Sequence, residues 1–412
     1  MEHLKRLIRS LLLILICFQI RVAHAQSTGY DYFNQWYQFN QNYIKILVDE
    51  DGFYRVSESD LQSAGVNTAG LDPANLQVIY RGQEIPIRTV SNGSQLDYFE
   101  FYGEKNDGHL DSLMYRSVIP PYGYDPEQQP TTFSSFFTDT SAYFVSWDVP
   151  GNERYDVIQP TNYGAFNPEP WYRYRSLHEH VDKYFPGGGS NNNPYHVLNP
   201  DYVTGEGFIG FKFEFGGPPN SGISLHETPG FVNSGAPSKV VCRAVSTTTS
   251  SQHILAIQVD GTEHTRDTTS NINIGTREFT TTQSLGNTTT LRYVALGSGS
   301  RPDAGSPCWD YIEYDRIFDL EDTSRTIVRE WTRSDTTYLR FYNADVTSEA
   351  WLYDPIRQQS IAATVSGDTL HFLVPGFAGP RDLYLYTDNS FLTPAGISNQ
   401  TSLANLSDVT NG

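Results

Sequence analysis

The sequence predicts a mainly β protein made of several β-rich modules, including a jelly-roll-like sandwich and a small C-terminal β-sandwich. Three observations carry this reading. Apolar and polar residues alternate in short runs, as in GFIGFKFEF (207–215) and HILAIQV (253–259), the period-2 pattern of strands with one buried face. Turn-forming residues separate the runs, with 33 glycines and 23 prolines and no collagen period. The hydrophobic content of 38%, rich in Tyr and Phe, is enough to fill cores and excludes wholesale disorder.

Residues 1–25 are of a different kind. Lys5, Arg6 and Arg9 precede an apolar run from Leu11 to Phe18, and Ala23-His24-Ala25 supplies a small-x-small cleavage site, so the segment reads as a secretory signal peptide. The run is far short of the ~20 residues of a membrane span. Bulky Ile16 ahead of Cys17 disfavours a lipoprotein anchor. The signal segment holds four basic residues against Glu2, so the chain's net charge of −19 becomes −22 once it is removed. This acidity argues against a nucleic-acid partner, which needs a basic stripe to displace phosphate counterions.

At about 150 residues per domain the remainder allows two or three domains. Residues 26–150 form an N-terminal β-rich module. In it NYIKILVDEDGFYR (42–55) predicts two strands around a tight Asp51-Gly52 hairpin turn, and Ser57 with Asp60 predicts a capped helix over 58–64 that stops at Gly65. Leu76–Tyr80, Glu84–Thr89, Asp97–Tyr102 and Ala142–Val149 are its further strands, and 105–140 is an irregular connection. Residues 151–322 form the jelly-roll-like sandwich, in which 164–200 reads as a long surface excursion and the strands resume from Phe208. Residues 323–390 form the small β-sandwich. From 391 to 412 the pattern dissolves into a linker or truncated end.

Few residues point to chemistry. Cys242 and Cys308 invite a disulfide closing a long loop, worth ~4 kcal/mol in the entropic account, with two buried thiols as the alternative. Neither sits in a CxxC, and neither has a flanking glycine-rich turn to expose a thiolate. His178 and His180 form an H-x-H that puts two imidazoles on one strand face for a metal, with Glu179 or Asp182 as a third ligand, although Glu179 would point to the opposite face; solvated polar residues are the plainer reading. DEDG (49–52) and NDGHLD (106–111) carry the acids of calcium loops without the full ligand spacing, and turn chemistry explains them better. Trp171, Tyr172 and Tyr174 offer a platform for a sugar or a partner, or else core anchors. No GxSxG, Walker A or HExxH motif occurs, so no catalytic, cofactor or metal residues are assigned.

YIKILVDEDGFYRVSESDLQSAGV (43–66), DPANLQVIYRGQEIPI (72–87) and DYFEFYGEKNDGHLDSLMY (97–115) resemble the N-terminal region of the gingipain-type cysteine peptidases of the type IX secretion system of Bacteroidota, the PorU-like sortases. DYVTGEGF (201–208), HILAIQVDG (253–261), WDYIEYDRIFDL (309–320) and WLYDPIRQQSIAATVSGDTLHFLVPG (351–376) resemble later blocks of that region, in the same order. The resemblance implies an exported protein at the cell surface, outer membrane or periplasm, with secretion components or exported cargo as partners. Full-length members remove C-terminal sorting signals from cargo. Their catalytic His and Cys lie in an α/β domain that follows this region, so the pair has no positions here. The expected role is therefore a scaffold or prodomain-like module, with a secreted carbohydrate-binding or adhesin-like sandwich as the alternative.

Overall fold

Alternation in the first strand already fixes one core face. Tyr43–Val48 buries Ile44, Ile46 and Val48 completely. The computed structural model describes residues 42–115, 125–148, 150–187, 202–218, 221–248, 252–297 and 303–400; the signal segment read at 1–25 lies outside them. The protein is mainly β, as the sequence predicts, with mostly antiparallel sheets and one short α-helix among the described residues.

The first module stacks two sheets. One orders Gly396–Gln400, Tyr43–Val48, Ser141–Ser146, Gln77–Tyr80 and Gln83–Ile85; the other orders Gly52–Ser57, Gln95–Gly103 and Ile87–Asn92. Ile44, Ile46, Tyr54, Val56, Phe99, Phe101 and Val145 meet between them. Glu58–Ser63 is the predicted helix. The Ser57 hydroxyl accepts from the Asp60 amide while the Asp60 carboxylate accepts from the Ser57 amide at 2.8 Å, a closed capping box, and Leu61 plugs the core. Glu100, wholly buried, is held by Arg55 at 2.6 Å and Arg88 at 3.2 Å.

Two expectations for this module are corrected. Tyr43–Val48 and Gly52–Ser57 do not pair as a hairpin; each enters a different sheet, and Asp51-Gly52 is the corner between the sheets. The chain passes close to a neighbour here: a Cβ at 52 would lie 2.7 Å from Leu392 Cδ1, and that side chain would have to shift to admit it. The segment read as patternless after Phe391 carries the strand Gly396–Gln400, which adds to the outer edge of Tyr43–Val48.

One large sheet runs through the rest of the protein in the order Ile274–Thr281, Ser238–Ser246, Ala304–Arg316, Tyr172–Glu179, Arg325–Arg333, Phe377–Thr387, Ala350–Asp354, Gln359–Ala362 and Asp156–Ile158. A four-stranded sheet of Ile223–Glu227, Thr288–Ala295, His253–Val259 and Thr262–Thr269 covers its first half. Cys242, Ala244, Ile257 and Tyr293 pack between these two layers. A second four-stranded sheet, Asp319–Thr323, Thr337–Ala344, Thr369–Val374 and Thr364–Ser366, covers the other half over Leu339, Phe341, Phe372 and Leu385. Both sandwiches thus share one backing sheet.

Tyr172–Glu179 lies at the centre of that backing sheet and corrects the surface excursion read for 164–200. Its polar residues are satisfied across the strand pair. Arg173 faces Asp315 at 3.0 Å and Arg175 faces Glu313 at 2.8 Å, in register.

Candidate functional site

The candidate site grows from two neighbouring strands of the backing sheet. His178 stands directly opposite Asp310 in the pairing of Tyr172–Glu179 with Ala304–Arg316, so both side chains share one face. His180 follows two positions on, and its amide donates to the Cys308 carbonyl at 2.9 Å, which keeps it on that face. The third contribution comes from the covering sheet. In Ile223–Glu227 the usual pattern is inverted: Leu225 is 59% exposed, while Ser224 and His226 are 1% exposed and point inward. An inward-facing polar pair on a sandwich strand needs a polar partner inside, and Asp310 is that partner.

The Asp310 carboxylate accepts four hydrogen bonds. Oδ1 takes His226 Nε2 at 2.6 Å and the Ser224 hydroxyl at 2.8 Å; Oδ2 takes His180 Nε2 at 2.8 Å and the Tyr293 hydroxyl at 2.7 Å. With its hydroxyl hydrogen given to Asp310, Ser224 presents a lone pair to His178 Nδ1, 3.1 Å away. His226 Nδ1 meets the Ser176 hydroxyl at 3.2 Å. Two donors on each oxygen fill the carboxylate's acceptor sites. Burial acts to raise the Asp310 pKa, but the hydrogen bonds and nearby charge of His180 and His226 outweigh it and hold the carboxyl well below the usual range. Burial, followed by the Asp310 charge, drives the Tyr293 phenol far above its ordinary value, so it remains a donor. His178 lies at the solvent edge, and partial burial, followed by its neighbour His180, lowers its pKa.

The H-x-H of the sequence therefore does gather a third potential ligand, but it is Asp310. One donor atom from each of His178, His180 and Asp310 lies within 4.8 Å of the others. Glu179 points away, as its place in the strand demands, and accepts from Thr131 and Ser134. Asp182 is exposed and outside the cluster. Asp310, Ser224, His226 and Tyr293 were missed from sequence. The signal available for Asp310 was its alternation with the core residues Ile312 and Tyr314, and for His226 the inverted ISLHE pattern.

The other expected sites resolve differently. Cys242 and Cys308 are both free and buried, so the disulfide is not formed. Cys242 packs in the interior of the sandwich with Phe213 and Tyr293, whereas Cys308, the extra residue of a β-bulge opposite Arg243 and Ala244, packs in a separate cluster with Val241, Val245 and Trp309. Burial pushes both thiols up to about 12. Tyr172 and Tyr174 do not make a flat platform, their rings meeting edge-on at 86°. Tyr172 is wholly buried against Phe318 and Phe341, and Tyr174 packs edge-on to Tyr314 under the Arg316 guanidinium. In the first acidic loop Glu50 pairs with Arg325 and Asp51 accepts from the Lys105 amide; in the second Asp107 pairs with Arg81 and Asp111 accepts from the Phe136 amide. Neither loop converges its acids.

These features define a protein of stacked β-sandwich modules with a buried histidine–carboxylate cluster in its middle sandwich. Among solved structures the chain is similar to dimeric latent PorU from Porphyromonas gingivalis, with a TM-score of 0.52 and 15% identity, over 87% of this chain and 33% of that one. At that identity the likeness is one of fold, and the chain spans about a third of the length of that protein. It also aligns with the CBM36-1 domain of a multidomain xylanase from the hindgut metagenome of Trinervitermes trinervoides, at a TM-score of 0.20 and 12% identity over 34% of this chain and 95% of that domain. No family model and no curated protein matches the chain.

Proposed function

We propose that this chain is the non-catalytic β-domain region of an exported, PorU-like type IX sortase or gingipain-type peptidase, serving as a scaffold or prodomain-like module that holds cargo or secretion components at the cell surface. The observation that carries the reading is the PorU-like fold extending over 87% of the chain, in keeping with the ordered sequence blocks that resemble the same region. Two features support a non-catalytic role. Both described cysteines are fully buried with thiols held protonated, which removes the thiolate a cysteine peptidase needs. His226 is committed to Asp310 and lies on the sandwich interior, with the phenol of Tyr293 beside it in place of an attacking group. Among the described residues no helix is long and apolar enough to cross a membrane.

The test is a peptidase assay on purified residues 26–412 with a panel of exported-protein C-terminal peptides. No cleavage is expected. Cleavage abolished by iodoacetamide would overturn the reading. A pull-down of secretion components or cargo by the same protein is the positive arm.

A further inference from the structure

We propose that His178, His180 and Asp310 form a binding site for one divalent transition metal of the zinc class, with a coordination position left open to solvent. The donor set decides the class of metal. Two imidazole nitrogens and one carboxylate oxygen favour zinc, cobalt or nickel over calcium or magnesium, which take all-oxygen shells.

The geometry is close to that of a metal site. Ligand bonds of about 2.0–2.2 Å at a tetrahedral ion put neighbouring donor atoms roughly 3.4 Å apart. The three donors here lie within 4.8 Å of one another, and His180 Nε2 is already 2.8 Å from Asp310 Oδ2. Small side-chain rotations bring the set to metal-binding distance. The ligands stand on rigid elements, two at the end of a central strand and one opposite it in register.

An outer shell is also built. His226 and Ser224 both donate to Oδ1, which fixes the carboxylate plane and leaves Oδ2 on the side of His180. His178 Nδ1 is turned to the Ser224 hydroxyl, which orients the ring beside Asp310. To bind the ion, His180 presents Nε2 without its hydrogen, the proton moving to Nδ1 or to solvent, and Tyr293 remains as donor to Oδ2. His178 is exposed whereas His180 and Asp310 are buried, so the ion enters from the His178 side, and that side keeps the open position.

The proposal does not rest on the sortase reading, and its test has no peptidase readout. The full chain, purified without a polyhistidine tag and stripped with chelator, is titrated with zinc chloride by calorimetry, with calcium and magnesium chloride as controls. One zinc per chain is expected, with no response to calcium or magnesium, and His178→Ala should weaken binding at least tenfold. Because His178 is at the edge, that variant is expected to keep the metal-free melting temperature of the parent. Cobalt should give the visible bands of a tetrahedral ion, lost in His178→Ala. Absence of zinc uptake, or uptake that His178→Ala weakens less than tenfold, overturns the proposal.

Discussion

Asp310 and His226 belong to opposite sheets of the middle sandwich and are joined by a 2.6 Å hydrogen bond through the apolar core. The same carboxylate reaches Ser224 and Tyr293 in the covering sheet and His180 beside it, so one side chain ties the two layers together. Asp310→Asn replaces a charged acceptor by a neutral amide that must place its own two hydrogens among four donors. A loss of about 3 kcal/mol is expected, from the charge-assisted bonds removed and the donors left buried. Urea unfolding with an unchanged m-value measures it. A loss under ~1 kcal/mol would show that the cluster does not hold the sheets.

Asp388 closes the turn at 347–349. Its carboxylate accepts from the Thr347 amide at 2.9 Å and from the Ser348 amide and hydroxyl at 2.8 and 2.9 Å. Partial burial acts to raise its pKa, but these hydrogen bonds prevail and leave it lowered. A carboxyl whose folded pKa is depressed contributes stability above its unfolded value of about 3.9 and loses it as pH falls further. The wild type should therefore exceed Asp388→Asn by about 1–2 kcal/mol at pH 7, and the gap should close below pH ~4. Urea midpoints of the two proteins across that range check this; a gap that persists unchanged into acid counts against it.

Gly52 and Leu392 couple the first corner to the segment that returns from the C-terminal sandwich. A Cβ at 52 would meet Leu392 Cδ1 at 2.7 Å and Arg325 Nη1 at 3.0 Å. Gly52→Ala should cost about 1–2 kcal/mol by overpacking. In Leu392→Ala the same change should cost clearly less, giving a coupling of at least ~0.5 kcal/mol in a double-mutant cycle. Strict additivity would remove the close-approach explanation.

Cys242 and Cys308 are free thiols that pack in different core clusters. Neither thiol of residues 26–412 should react with iodoacetamide in the folded protein. Both should react in denaturant without prior reduction, adding two alkyl groups by mass. Failure to alkylate until a reductant is added would reveal a disulfide and refute the packing described.

Local pattern revealed those parts of the fold whose partners are near in sequence or whose faces differ sharply. The Ser57–Asp60 capping box and the strand His253–Val259 belong to this group. Tyr172–Glu179 escaped because Arg173 and Arg175 make it look solvent-facing, while the Asp315 and Glu313 that neutralise them are far along the chain. Half of the histidine cluster was readable as H-x-H. The rest depended on Asp310 and His226 being polar at inward positions, which acquires meaning only once the two sheets are stacked. The Asp51-Gly52 corner was misread because the same dipeptide serves a hairpin and a sheet-to-sheet corner alike.

The strand Gly396–Gln400 has a consequence in time. Tyr43–Val48 is bordered on one side by Ser141–Ser146 and on the other only by this last strand. Until residue 400 has left the ribosome, the first strand of the first module keeps a bare row of amides and carbonyls beside its apolar side chains, a template on which another chain can add. The seam of this module is therefore sealed only when the whole 43–400 stretch is present.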